Sequence, residues 1–166
     1  MAVRRVRMED TEALLQTMKK VEKQSDYMLL EANERKTTNR QLKQRIKSIK
    51  EQENSEIFVA DIHNKIVGYL FAIGGQLKKN RHCVYIAIGI LSEFSRQGIG
   101  TNLFMQMEKW AKEQNVHRLE LTVVNENQAG IALYQKMGFE VEGIKHHSLK
   151  INGVFADEYY MAKLLS

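Results

Sequence analysis

The chain has 166 residues, 43% apolar and 27% charged, a length that fits one compact domain and an ordinary globular mix. No run approaches the ~20 apolar residues of a membrane-spanning helix, the N-terminus lacks an apolar core followed by a small-residue cleavage site, and the one cysteine, Cys83, excludes an intrachain disulfide. The expectation is one cytoplasmic domain over residues 1–166 with no membrane partner.

The net charge is +5 and the pI about 9.3. Such a field suits nucleic acid or a ligand carrying phosphates. The basic residues are scattered, and the densest run, residues 36–50, has Ile and Leu at core spacing. No nucleic-acid partner is expected.

Residues 3–8 read as a short strand, with Asp10 placed to cap the helix that follows. That helix sets Leu14, Met18 and Val21 on one face. Residues 25–35 break the pattern. Thr38 and Gln41 have capping-box spacing and open a helix with Leu42, Ile46 and Ile49 inward. Glu56–Ile62 is an apolar run of strand length. A turn at His63, Asn64 and Lys65 follows, then a partner strand over 66–73. After a polar loop, residues 84–91 form another strand, where Gly89 marks a bulge or a close approach by another group. From Gly98 the period becomes helical, aligning Ile99, Leu103, Met107 and Trp110 or Ala111. Leu119, Leu121 and Val123 alternate as a strand. Residues 127–137 are helical, aligning Ala129, Leu133 and Met137. Residues 141–151 and Val154–Leu164 flank Asn152-Gly153, a strong hairpin signal. The order is strand, two helices, three strands, helix, strand, helix, two strands: a mixed α/β (α+β) domain around one sheet.

The segment Ser95-Arg96-Gln97-Gly98-Ile99-Gly100-Thr101 carries the most chemistry. It follows a strand and opens a helix, where backbone N–H groups lack partners and the helix end is partly positive. Gly98 and Gly100 let a ligand approach the backbone, and Arg96 adds charged donors. The segment makes a pyrophosphate cradle or simply a glycine-rich helix start. A Rossmann fingerprint is excluded because Leu103 stands at the third glycine, and the Walker lysine is missing.

The run IGILSEFSRQGIGTNLF resembles the acetyl-CoA signature of the GNAT superfamily of N-acetyltransferases, Gln/Arg-x-x-Gly-x-Gly/Ala. Downstream, NENQAGIALYQKMGF resembles the same family's Asn-x-x-Ala-x-x-Leu-Tyr-x-Lys-x-Gly-Phe segment through Asn127, Leu133, Tyr134, Lys136, Gly138 and Phe139, with Ala129 one place before the pattern's alanine. One departure is that Ser95 stands at the family's Gln/Arg position, with Arg96 next to it. The resemblance implies a mixed, mostly antiparallel sheet with helices on both faces and two splayed central parallel strands. It also implies acetyl-CoA as co-substrate, no metal, and direct attack of an amine on the thioester. Contacts to the cofactor would come from residues 96–101, from Asn127 and Tyr134, and from the backbone of Ile88 and Ile90. The Ile90 N–H would polarise the thioester carbonyl, and Gly89 would sit at the bulge that splays the strands.

In relatives the tyrosine matching Tyr134 lies near the sulfur, which makes Tyr134 the expected general acid. On residues alone, Tyr134 reads as packing and Asn127 as a helix cap. Some relatives use a glutamate on the strand before the last helix as base. Thr122 holds that position here, and Glu120, on the same strand face, is the candidate. The family builds its acceptor site from the loop after the first helix and from the C-terminal hairpin. Glu31 and Glu34 are therefore candidates for attracting a cationic amine, with Asp157, Glu158, Tyr159 and Tyr160 walling the pocket. The acceptor is expected to be a small-molecule amine or a peptide N-terminus. A non-catalytic acyl-CoA-binding domain is the alternative, and a homodimer stays open because relatives often dimerise. His146 and His147, adjacent in a strand, would point to opposite faces and could share no metal without a bulge. No Cys/His spacing supports zinc, and Cys83 reads as packing.

Overall fold

The computed structural model describes residues 1–166. Strand β1 (Ala2–Arg5) leads into a 3-10 turn (Met8–Asp10) and helix α1 (Thr11–Gln24). Helix α2 (Asn39–Lys50) precedes strands β2 (Glu56–Ile62), β3 (Lys65–Gly74) and β4 (Cys83–Ile90). Then come helix α3 (Ile99–Glu113), β5 (Arg118–Val124), α4 (Gln128–Lys136), β6 (Glu140–Ile151) and β7 (Val154–Leu164). No helix is long and apolar enough to cross a membrane.

The seven strands form one sheet in the order β1-β2-β3-β4-β5-β7-β6. Every pairing is antiparallel except β4 with β5. The hairpin turns are those the sequence asks for. His63 and Asn64 have φ of 50° and 66°, and Asn152 and Gly153 have 50° and 80°, the left-handed pair that matches strand twist.

Period-two alternation gives the sheet two faces. Tyr69 and Phe71 of β3 look toward α1 and α2, where the Arg45 guanidinium lies 5.7 Å over the Phe71 ring and Thr17 donates at 2.7 Å to the Ile66 carbonyl. The opposite face carries α3 and α4. There Phe58 meets Trp110 edge-on at 5.9 Å and Phe104 meets Tyr134 at 5.8 Å. Leu14, Val21, Leu42, Ile46, Ile49, Leu103 and Met107 are all buried in one continuous core, as their spacing requires.

Several local expectations change. Strand β1 stops at Arg5 because Met8 enters the 3-10 turn. Asp10 sits at the start of α1 but does not cap it. Its carboxylate accepts instead from Arg4 at 2.7 and 3.0 Å and from the Arg7 N–H at 2.7 Å. The capping box at Thr38 and Gln41 is present. The buried residue of α4 is Tyr134, while Ala129 is exposed; the helix turns its tyrosine, not its alanine, to the core. No register shift falls at Gly89. A Cβ there would lie 2.5 Å from the Tyr69 ring, so this glycine makes room for a side chain on β3.

Candidate active site

Strands β4 and β5 pair only from Cys83–Arg118 through Tyr85–Glu120. Beyond that point they diverge, and a cleft of about 580 Å³ opens between them, within the ~300–1,000 Å³ range of small-ligand sites. The β3 register decides what faces it. Leu91 donates to Val67 and Gly75 donates to Cys83, so odd residues of β4 bond to β3. The backbone N–H and C=O of Ile88 and Ile90 therefore point into the gap. Both residues line the cleft. The splay comes from the diverging ladder and needs no bulge. At its root the Tyr85 hydroxyl and Thr122 Oγ1 meet at 2.9 Å, a side-chain link where backbone pairing stops.

Helix α3 begins beside the end of β4. Gly98 takes φ 79° and Arg96 φ 62°, the left-handed geometry that turns successive amides toward one concavity. The backbone N–H groups of residues 96–101 have no acceptor in the protein, and α3 has no side-chain cap. A Cβ on Gly98 would meet nothing within 4 Å, so this backbone is open to a ligand. Gly100 is different: a Cβ there would lie 2.7 Å from Leu133 and 3.4 Å from Ile90. Its bare α-carbon lets α3 pack on α4 and β4. Lys136, which the motif contained without an assigned task, reaches Thr101 Oγ1 at 3.3 Å. It adds a second cation to that of Arg96 beside the amides.

Asn127 and Tyr134 both line the cleft. Asn127 Oδ1 accepts from the Gly130 N–H at 3.0 Å and caps α4, which fixes the side chain and leaves its amide NH2 to donate. Tyr134 packs against Phe104 and Phe139 with ring centroids at 5.8 and 6.3 Å. Burial, and then the neighbouring Tyr85, push its hydroxyl up to about 12. The group is thus protonated at neutral pH, the state a proton donor needs.

Other candidates fall elsewhere. Glu120 does not line the cleft. It accepts from Arg118 Nε at 2.8 Å, and Arg118 also holds Glu142 through its other nitrogens. These residues bound a neighbouring pocket of about 310 Å³ that shares Tyr85 and Thr122 with the cleft. Glu31 lines a third pocket, between the loop after α1 and the β6–β7 hairpin tip. Glu34 closes its own turn by accepting from the Glu31 N–H at 2.9 Å. Tyr159 is packed against the core, whereas its neighbours Glu158 and Tyr160 line the cleft and the Glu120 pocket respectively. Alternation along β7 separates them.

The expectation that His146 and His147 lie in a regular strand does not hold. Between Lys145 and Leu149 the β6–β7 register shifts, and His147 takes φ 51°. Both histidines turn to Asp157, His147 through its N–H at 2.8 Å and His146 through Nδ1 at 3.4 Å. Glu22 belongs to no motif. This buried carboxylate on α1 accepts from Arg35 at 2.7 to 3.0 Å and ties down the loop that roofs the cleft through Tyr27, Met28 and Leu29. An acidic residue at an otherwise apolar helix position was the available signal.

A sheet parted between its two parallel strands, beside a helix start rich in free amides, defines the fold of the N-acetyltransferases. An acetyltransferase of the GNAT family from Streptococcus pneumoniae superposes with a TM-score of 0.96 at 28% identity, covering 99% of both chains. A phosphinothricin acetyltransferase from Sinorhizobium meliloti, in complex with AcCoA, shares the fold at a TM-score of 0.87 and 17% identity, covering 99% of this chain and 88% of that one. The chain matches the Acetyltransferase (GNAT) family over residues 16–139, and it belongs to that family. It is similar to an L-amino acid N-acetyltransferase of Escherichia coli (strain K12), 34% identical over 111 residues, 64% of this chain and 66% of that protein. An N-alpha-acetyltransferase of Sulfurisphaera tokodaii is 35% identical over 114 residues, 61% of this chain and 66% of that protein. Both matches thus span just under two thirds of the relative's own length.

Proposed function

We propose that the protein transfers the acetyl group of acetyl-CoA to a primary amine, of a small molecule or a peptide N-terminus, by direct attack within the cleft. The observation that carries this reading is the run of unpartnered amides over residues 96–101, flanked by Arg96 and Lys136, at the end of a gap lined by the Ile88 and Ile90 backbone. Amides at a helix start favour a diphosphate. An extended amide-bearing arm suits a strand edge left without a partner. The family membership and the neighbour holding AcCoA support the same reading.

In the proposed reaction the Ile90 N–H donates to the thioester carbonyl and stabilises negative charge developing on its oxygen. The amine nitrogen bonds to the carbonyl carbon as the carbon–sulfur bond breaks. Tyr134 gives its proton to the departing sulfur and regains one from solvent. An acceptor that enters as an ammonium gives one proton to water in the open cleft before attack, and its nitrogen sheds a second there as the amide forms. Glu120 holds Arg118 in the adjoining pocket and has no part in these steps.

The test is calorimetry with acetyl-CoA, paired with coenzyme A release over a panel of amines. Saturable binding with turnover is expected, and weaker binding by Gly98→Asp, whose carboxylate would oppose the phosphates. Absence of saturable binding overturns the proposal. Binding without turnover on any amine would make the chain an acyl-CoA-binding domain instead.

A further inference from the structure

Resting on the acetyl-transfer reading, we infer that the acceptor is a free α-amino acid or a compound of the same zwitterionic pattern, held between Glu158 and Lys145. The gap between β4 and β5 passes through the sheet. Tyr134 and Asn127 line it from the face that carries α3 and α4. Glu158 and Lys145, paired in register across β7 and β6, line it from the other face, beneath the loop after α1. An acceptor on that side approaches the thioester opposite the proposed acid.

Among the residues lining the cleft, Glu158 is the one carboxylate and Lys145 the one cation. Glu158 is largely buried, with 12% of its side chain exposed, and is held by the Ser148 hydroxyl at 2.8 Å. Lys145 Nζ lies 3.7 Å from the same carboxylate, within Coulomb reach but beyond a hydrogen bond, and 5.6 Å over the Tyr160 ring. The two charges therefore face each other without being locked together.

The β6 irregularity builds this arrangement. Between the pairs Lys145–Glu158 and Leu149–Ala156, β6 spends two more residues than β7. In an unbroken ladder Ser148 would stand on the opposite face from Lys145. The bulge, pinned by the His147 N–H on Asp157, brings both residues back to Glu158.

An α-amino acid carries an ammonium and a carboxylate on one carbon. The ammonium matches Glu158 and the carboxylate matches Lys145, each through a charge-assisted hydrogen bond. A peptide N-terminus or an amino-acid amide offers only the first. A polyamine brings a second positive charge toward Lys145. The paired charges thus select by attraction and by repulsion together.

The experiment compares kcat/KM for an amino acid, its amide, its decarboxylated amine and a dipeptide. The wild type should favour the free amino acid over its amide by roughly tenfold or more, the worth of one charge-assisted hydrogen bond. Lys145→Met should collapse that ratio through KM for the free acid, and Lys145→Arg should keep it. An amide or dipeptide used as well as the free acid overturns the inference. So does a ratio unchanged in Lys145→Met. In either case acetyl transfer itself stands. Failure to bind acetyl-CoA, or to acetylate anything, would instead remove the reading beneath it.

Discussion

Tyr134 shows how one residue satisfies two readings. It is the buried anchor of α4, set edge-on to Phe104, and it also lines the cleft. Sequence spacing could not choose between packing and chemistry; the structure packs the ring into the core, and the same residue lines the cleft. Tyr134→Phe should therefore retain the packing and remove the hydroxyl proposed as proton donor. The expected result is a kcat lower by about 10²-fold with acetyl-CoA affinity nearly unchanged, read from single-turnover rates and calorimetry. Because burial pushes the hydroxyl up to about 12, it is protonated through the neutral range, and ionisation would remove it only as pH approaches that value. The pH profile of kcat should show no basic limb from Tyr134 below roughly pH 10; such a limb, absent from the Phe variant, would contradict the burial argument. Gly100 is a similar case. The motif suggested an opening for a ligand, but the atoms facing its α-carbon are those of Leu133 and Ile90.

At the scale of elements, the loop between α1 and α2 is anchored by a buried ion pair. Glu22 is only 4% exposed, and Arg35 supplies all of its hydrogen bonds. Removing the arginine leaves a buried carboxylate without a partner. Arg35→Ala should cost about 3 kcal/mol, or roughly 6–12 °C in Tm, and should raise KM for the acceptor because the loop roofs the cleft. A melt and steady-state kinetics check both; an unchanged melting temperature would mean that Glu22 finds water or a new donor. Elements with strong periodicity were legible in the sequence. Glu56–Ile62 and Val154–Leu164 match their expected limits, and the Thr38 capping box marks the start of α2. The β6 bulge was not legible, because residues 145–149 alternate no differently from a regular strand until Asp157 is placed across from them. Tyr159 packs against the core rather than lining the cleft, because the face a strand residue occupies follows from its pairing partner.

The whole molecule is a sheet in two parts, β1–β4 and β5–β7–β6, joined by a short parallel ladder and the Tyr85–Thr122 contact. A ligand that bonds to the Ile88 and Ile90 backbone while touching α4 would bridge both parts. Acetyl-CoA at a hundredfold its Kd should stabilise the fold by about 2.7 kcal/mol, or roughly 5–10 °C for a domain of this size. Thermal shift against acetyl-CoA concentration measures this. Stabilisation by acetyl-CoA but not by a fragment lacking the diphosphate would assign the larger share to the α3 amides. A fragment as effective as the whole would assign it to the gap.

By itself the sequence determined the element order, the hairpin turns, the family and the glycine-bearing start of α3. These rest on local spacing and on backbone conformations that few residues adopt, so they can be read along the chain. The tertiary structure decided which carboxylates belong to the cleft. Glu120, Glu31 and Glu158 are all plausible as letters, but the pairing of β5, β7 and β6 gives Glu120 to Arg118 and sets Glu158 beside Lys145. Charges act through space, and only the register between distant strands fixes which of them meet.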